Sequence, residues 1–322
     1  MGRGMFGLVL VVAMTAACGG APSKPVSAAQ QAIELQIAGG KEQIIDASTG
    51  KPVTFEEMMT SLLTAKVIYI GERHDNADDH GVQYAILDGF GTRSTSLAVG
   101  LEMFQYPYQQ PLDDWSAERI DEAKMLKRTQ YEKRWGFDFD FYRPLLETAR
   151  TLSARIVALN APMEVTHAIA HGGLAALDPV QISELPELDL HNKRHRKLVE
   201  AEIAQHELME PEAVDRFYAA QVVWDETMAL HVASTMNAAT APEHMIVFAG
   251  RMHVLGGSGI PERAAKRGVK SWKSVIPIEA SDPIAKWTGP AEDRPADYLW
   301  VIPGVADSAV SPPPPKPALT PR

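Results

Sequence analysis

The chain has 322 residues, 45% of them hydrophobic and 22% charged, with 31 Lys/Arg against 41 Asp/Glu and a formal net charge of -10. That composition supplies a globular core and excludes a chain too polar to fold. The acidic balance excludes a protein that tracks nucleic-acid phosphates, and beyond the N-terminus no run is long and apolar enough to span a bilayer.

The N-terminus reads as an export signal over residues 1–17. Arg3 supplies the positive charge, Phe6 to Met14 the apolar stretch, and Thr15-Ala16-Ala17 a small-residue cleavage site. Cys18, the only cysteine, follows directly and has no internal partner. Its position resembles the lipidated cysteine of a bacterial lipoprotein, although Thr15 stands where leucine is usual. A plain secretory signal with an incidental cysteine is the alternative. Gly19 and Gly20, with no aspartate after Cys18, resemble the pattern for outer-membrane sorting. Residues 18–40 form a tether, and 304–322 a proline-rich disordered tail.

Between these ends the pattern predicts an α/β fold, a parallel sheet flanked by helices with a smaller all-helical insertion domain. The α/β part covers 41–161 and 239–303, and the insertion 162–238. Thr54 and Glu57 make a capping box that opens a helix running to about residue 65. The apolar run 67–70 predicts a strand, followed by a loop holding Glu72 and His74 and a helix with Val82, Ile86 and Phe90 on one face. Run 97–101 is a second strand, ending in Glu102, and 155–159 a third, ending in Asn160. A helix over about 142–152 lies between them. Continuous apolar strands alternating with helices predict a sheet covered on both faces. From 162 to 237 only helical spacing appears. Run 245–249 restores the sheet and ends at Gly250-Arg251-Met252-His253, and a helix starts near Pro261. Runs 274–278 and 298–302 read as late edge strands.

Four strand ends thus deliver Glu72/His74, Glu102, Asn160 and Arg251/His253. Carboxyl ends of parallel strands are where open α/β sheets build sites, because charged groups converge there without entering the core. The alternative is that each merely caps a loop. His80 falls at a helix start, either exposed or at the site. Gly256, Gly257 and Gly259 precede the Pro261 helix and form either a tight turn or a backbone cradle for a carboxylate. The basic run 191–197 is the face of a solvated helix. Met103, Phe104, Tyr106 and Tyr108 line an apolar slot or belong to ordinary packing.

In order, these segments resemble the ChaN-like haem-binding lipoprotein family, a branch of the Tiki/TraB/erythromycin-esterase-like superfamily, over about 44–278. The resemblance rests on Gly71 to Asn76 with His80 and Gln83, on Gly100 to Phe104, and on Tyr142 to Leu145. Ala158 to Asn160, Gln221 with Trp224, Asp225 and Met228, and Ala249-Gly250 with His253, Gly259 and Pro261 complete it. Asp79 stands where the family usually begins a histidine pair, and Leu255 where tyrosine is common. The resemblance implies an outer-membrane lipoprotein of the bacterial envelope, anchored at Cys18, that takes part in haem or iron acquisition and forms a homodimer around haem.

Non-covalent haem needs an apolar face, an axial Tyr, His or Met, and cationic or N–H donors for the propionates. Tyr142 and Tyr106 are the first axial candidates, with His74, His80, Glu102 and His253 as further haem-site residues. Arg251 and the loop of Gly256, Gly257 and Gly259 are the propionate candidates. The rival is a hydrolase in which Glu72, His74 and His253 hold a divalent metal, or in which His74 acts as general base with Glu72 orienting it. A third reading is a tethered scaffold whose polar cluster is structural.

Overall fold

The computed structural model describes residues 42–204, 210–279 and 294–302. At its centre Val67–Glu72 (β3) and His244–Gly250 (β6) run parallel, with Gly71 opposite Ala249 and Glu72 opposite Gly250. Both strands are buried at every position, as their unbroken apolar runs require when helices cover both faces. Leu97–Gln105 (β4) pairs parallel with β6, and Arg155–Asn160 (β5) pairs parallel with β4. On the other flank Trp272–Glu279 (β7) is parallel to β3 and Tyr298–Ile302 (β8) is parallel to β7.

The late strands are not edges. Beyond β8 lies Gln43–Asp46 (β1), paired antiparallel to it and to Lys51–Val53 (β2), which closes the order β2-β1-β8-β7-β3-β6-β4-β5. The expectation of edge strands is therefore corrected: the hairpin from the front of the domain shields β8, and β8 is accordingly buried throughout. The hairpin itself left little trace in the sequence, because β2 is three residues long and contains Pro52, a residue at home on an edge strand.

Alternate residues of β3 feed two cores. Ile68 and Ile70 meet Met59, Ile86, Phe90 and Leu145 from the helices Phe55–Leu62, Ala77–Gly91 and Arg143–Thr151. Val67 and Tyr69 face Met228, Val232, Ile260 and Ala264 on the opposite side. Thr54 caps the first helix as expected, its hydroxyl accepting from the Glu57 N–H while the Glu57 carboxylate accepts from the Thr54 N–H. Such a cap contributes about 1 kcal/mol.

Between β5 and β6 the described residues contain helices and no strand. The 26-residue helix Pro211–Met236 serves both parts. Its first half packs Tyr218, Ala220, Val222 and Val223 against the other inserted helices, whereas Met228, Ala229, Val232 and Ala233 cover the sheet. Residues from the insertion are thereby held rigidly above the strand ends.

Candidate functional site

The chain leaves β3 toward β4 and leaves β6 toward β7, in opposite directions across the sheet. Such a reversal opens a crevice at the strand carboxyl ends. Here it is a cleft of about 520 Å³ lined by Glu72, His74, Glu102, Asn160, Arg251 and His253 among others.

The first half of the site is fixed from the turn after β3. Asn76 caps the helix Ala77–Gly91, accepting from the N–H groups of Asp78 and Asp79. Asp79, buried in the first turn, accepts from the Arg73 N–H at 2.7 Å and from its guanidinium at 2.8 Å, and Arg73 also bonds Glu279. With Arg73 held, His74 turns back onto the strand end, its Nδ1 2.8 Å from Glu72 Oε1. The Glu72 side chain is wholly buried, accepting from the Tyr142 hydroxyl at 2.8 Å and from Gln83 Nε2. The Glu72 oxygen facing Nδ1 acts as acceptor, so in the neutral His74 ring Nδ1 carries the proton and Nε2 the lone pair. Nε2 has no hydrogen-bond partner among the described residues and lies over Gly250, where a Cβ would come within 3.0 Å of it. Trp135 and Phe137 flank the ring at centroid distances of 4.7 and 4.9 Å. Burial disfavours the His74 cation, but Glu72 and Glu102 outweigh it and raise its pKa.

The second half comes from β4, β6 and the inserted helix. His253 places Nε2 3.2 Å from Glu102 Oε1 and Nδ1 2.7 Å from Asp225 Oδ1, with Gln221 Nε2 2.9 Å from the same nitrogen. Glu102 also accepts from the Gly250 N–H at 2.5 Å. Burial opposes charge here too, yet the two carboxylates overcome it and push His253 up to about 10. Burial likewise works to raise Glu102 and Asp225, but the His253 cation holds both below the usual carboxylate range. Asp225 continues to His195, whose Nε2 is 2.9 Å away. Around these pairs the cleft is walled by Trp135, Trp224, Met163 and Met252, with Arg134 and Arg251 supplying positive charge.

Other candidates lie elsewhere. Tyr142 is wholly buried beneath the cleft, where burial and Glu72 raise its hydroxyl pKa. His80 is buried behind Glu72, stacked on Phe141, with Nε2 3.2 Å from the His74 carbonyl. Tyr106 faces a different cavity, stacked on His231. Gly256 and Gly257 line a third cavity beside Arg194 and Trp272, and the Gly256 N–H donates to the Pro295 carbonyl at 2.6 Å. Gly259 packs against His253, where a Cβ would fall 2.1 Å from the carbonyl oxygen. Cys18, the tether and the tail lie outside the described residues.

Gln83, Gln221, Asp225, Arg134 and Trp135 complete the site without having been singled out for a role there. Gln221 and Asp225 had a signal: two polar residues four apart on an otherwise apolar helical face mark a buried polar purpose. Arg134 and Trp135 had none, since they end a single helical turn, Tyr131–Arg134, too short to carry a periodic pattern. Among the described residues no group of three or more His, Cys, Asp or Glu is arranged to hold a metal ion. Glu72 and His253 are already turned to partners of their own, so the metal set of Glu72, His74 and His253 does not converge on one point.

Fold and site together define a mostly parallel α/β protein whose strand-end cleft holds two carboxylate–imidazole pairs. The chain belongs to the family described as haem-binding uptake, Tiki superfamily, ChaN, whose model matches residues 58–264. Among solved structures it is similar to ChaN of Campylobacter jejuni, described with cofacial haem binding, at 19% identity and a TM-score of 0.58, covering 80% of this chain and 96% of that one. It is more distantly similar to a mutant of the erythromycin esterase EreC in its open conformation, at 13% identity and a TM-score of 0.44, covering 73% and 77%. A succinoglycan biosynthesis protein is similar at 9% identity and a TM-score of 0.46, covering 78% and 75%. No curated protein matches the chain at a significant level.

Proposed function

We propose that this protein binds haem non-covalently in the strand-end cleft, where Nε2 of His74 would hold the iron. The observation that carries this reading is the single unpaired ring nitrogen, locked by Glu72 and facing a cleft with aromatic and methionine walls. Arg251 and Arg134 line the same cleft and are the cations assigned here to the two propionates, Arg134 while also paired with Glu164. A hydrogen-bonded carboxylate behind the imidazole raises its basicity as a ligand. Haem bound there supplies iron for storage or transfer; the chain's residues orient it and fix its charge. His253, whose two ring nitrogens are both taken by Glu102 and Asp225, holds the cleft floor together rather than ligating.

The wider role follows the family: haem or iron acquisition at the bacterial envelope, with Cys18 carrying a lipid that attaches the protein to the outer membrane. Cofacial binding in the Campylobacter relative supports haem stacked between two copies of this chain. Adding haem to the purified protein tests the core of the reading. A shifted Soret band, lost in His74→Ala with the fold intact, is the expected result. A spectrum equal to free haem overturns it. Radiolabelled palmitate incorporation at Cys18, absent in Cys18→Ser, tests the anchor.

The Glu72–His74 pair favours a second reading, since an oriented imidazole with a free nitrogen also serves as a general base. Hydrolysis of model esters or peptides that disappears in His74→Ala would support it.

A further inference from the structure

A cavity of about 330 Å³ lies on the far side of the β5 end from the haem cleft. Asn160 and Met163 face the cleft, whereas Ala161, Pro162 and Val165 turn to this second space. Its walls are mostly apolar; Gln181 and Glu184 border it from the helix Pro179–Glu184, and three further polar groups face it. Thr227 and His231 stand four residues apart on one face of the helix Pro211–Met236, and Tyr106 comes from the turn after β4. Thr227 is only 4% exposed, and its hydroxyl has no hydrogen-bond partner among the described residues. The His231 ring and the Tyr106 hydroxyl have none either. Of the three only Thr227 is buried, so its unpaired hydroxyl is the costly one, and a complementary molecule removes that cost, whereas Tyr106 and His231 are part-exposed.

The lining decides the chemistry of that molecule. No Lys or Arg borders the cavity, while Glu184 stands at its mouth, so an anion is disfavoured. Burial lowers the His231 pKa and keeps the ring neutral, able to donate through one nitrogen or accept through the other. Tyr106 and His231 stack at 4.8 Å with a 29° interplanar angle, giving one flat wall. The volume is at the small end of ligand pockets, which run from roughly 300 to 1,000 Å³.

We infer that this cavity is a second binding site, separate from the haem cleft, for a small neutral aromatic molecule bearing one hydrogen-bonding group, such as a phenol or an indole. Thr227 and His231 pair with that group, and Val165, Val223 and Leu230 pack against the ring.

Methyl NMR of the full chain, titrated separately with phenol, indole, benzene and benzoate, tests this. Phenol and indole are expected to saturate at roughly millimolar concentration, shifting the methyls of Thr227, Val223 and Leu230. Benzoate is expected to leave those methyls unmoved. Thr227→Val should weaken phenol roughly three- to tenfold and leave benzene unchanged. Leu230→Trp, at a half-exposed mouth position that tolerates bulk, should abolish both. The Soret response to haem should be the same in both variants and the parent. Absence of saturable shifts with phenol and indole overturns the inference, as does unchanged phenol affinity in both variants. Benzoate binding as tightly as phenol overturns the neutral-ligand assignment.

Discussion

Replacing His253 by glutamine removes the cation that Glu102 and Asp225 share. In the folded protein this imidazole is pushed up to about 10, against an ordinary value of 6.5. Between those values the folded state holds a proton that the unfolded chain has released, so stability falls as pH rises. The slope is about 1.4 kcal/mol per pH unit. Over the roughly 3.5 pH units involved the contribution is of the order of 5 kcal/mol, complete below about pH 6.5 and gone above about pH 10. Glu102 and Asp225, held low, act with the opposite sign: their contribution is present above about pH 4 and lost as pH falls. The native protein should therefore be most stable between about pH 4.5 and 6.5. His253→Gln strands two buried carboxylates and should lower that plateau by about 3–5 kcal/mol. Urea unfolding at half-unit steps from pH 4 to 10 reads both quantities. His74, also raised, contributes an alkaline slope of the same sign and feels the His253 charge, so the difference between parent and variant reads His253 together with its coupling to His74. A difference that stays constant from pH 6.5 to 9 would refute the buried cation.

Tyr142→Phe deletes one donor to Glu72 and should cost about 1–2 kcal/mol. Because Glu72 then holds His74 less firmly, haem should bind more weakly in a Soret titration of that variant. Tyr106→Phe should leave the Soret band unchanged, since Tyr106 faces another cavity; a lost or shifted band would move the haem site there. Gly259→Ala drives a Cβ into the His253 carbonyl. Backbone cannot yield as a side-chain tip does, so a loss of about 3 kcal/mol or more is expected by thermal unfolding.

Much of the site was legible because strand-end chemistry is local. Glu72 and His74 follow a continuous apolar run, as do Glu102 and Asn160, and each of these runs is a parallel strand, the last of them at the sheet's edge. Once the strands are parallel and adjacent, their carboxyl ends must meet. The tyrosines were less legible. Tyr142 and Tyr106 look alike in sequence, yet one lies under Glu72 and the other stacks on His231. Which face of a packed layer a tyrosine joins depends on neighbours distant in the chain. The glycines before Pro261 read as a cradle because their flexibility is local, but the partner of Gly259 is the His253 carbonyl, and no spacing rule encodes that approach.

Residue order by itself determined the six strands from Val67 onward, the helical spacing between β5 and β6, the capping box at Thr54 and the placing of ionisable groups at strand ends, since hydrophobic period and turn chemistry act over a few residues. Only tertiary structure decided that the front hairpin guards β8, that Asp225 from the inserted helix reaches His253, and that His74 keeps one nitrogen open. Those outcomes arise where segments far apart in the chain bury polar groups against each other, and the burial sets their partners and charge.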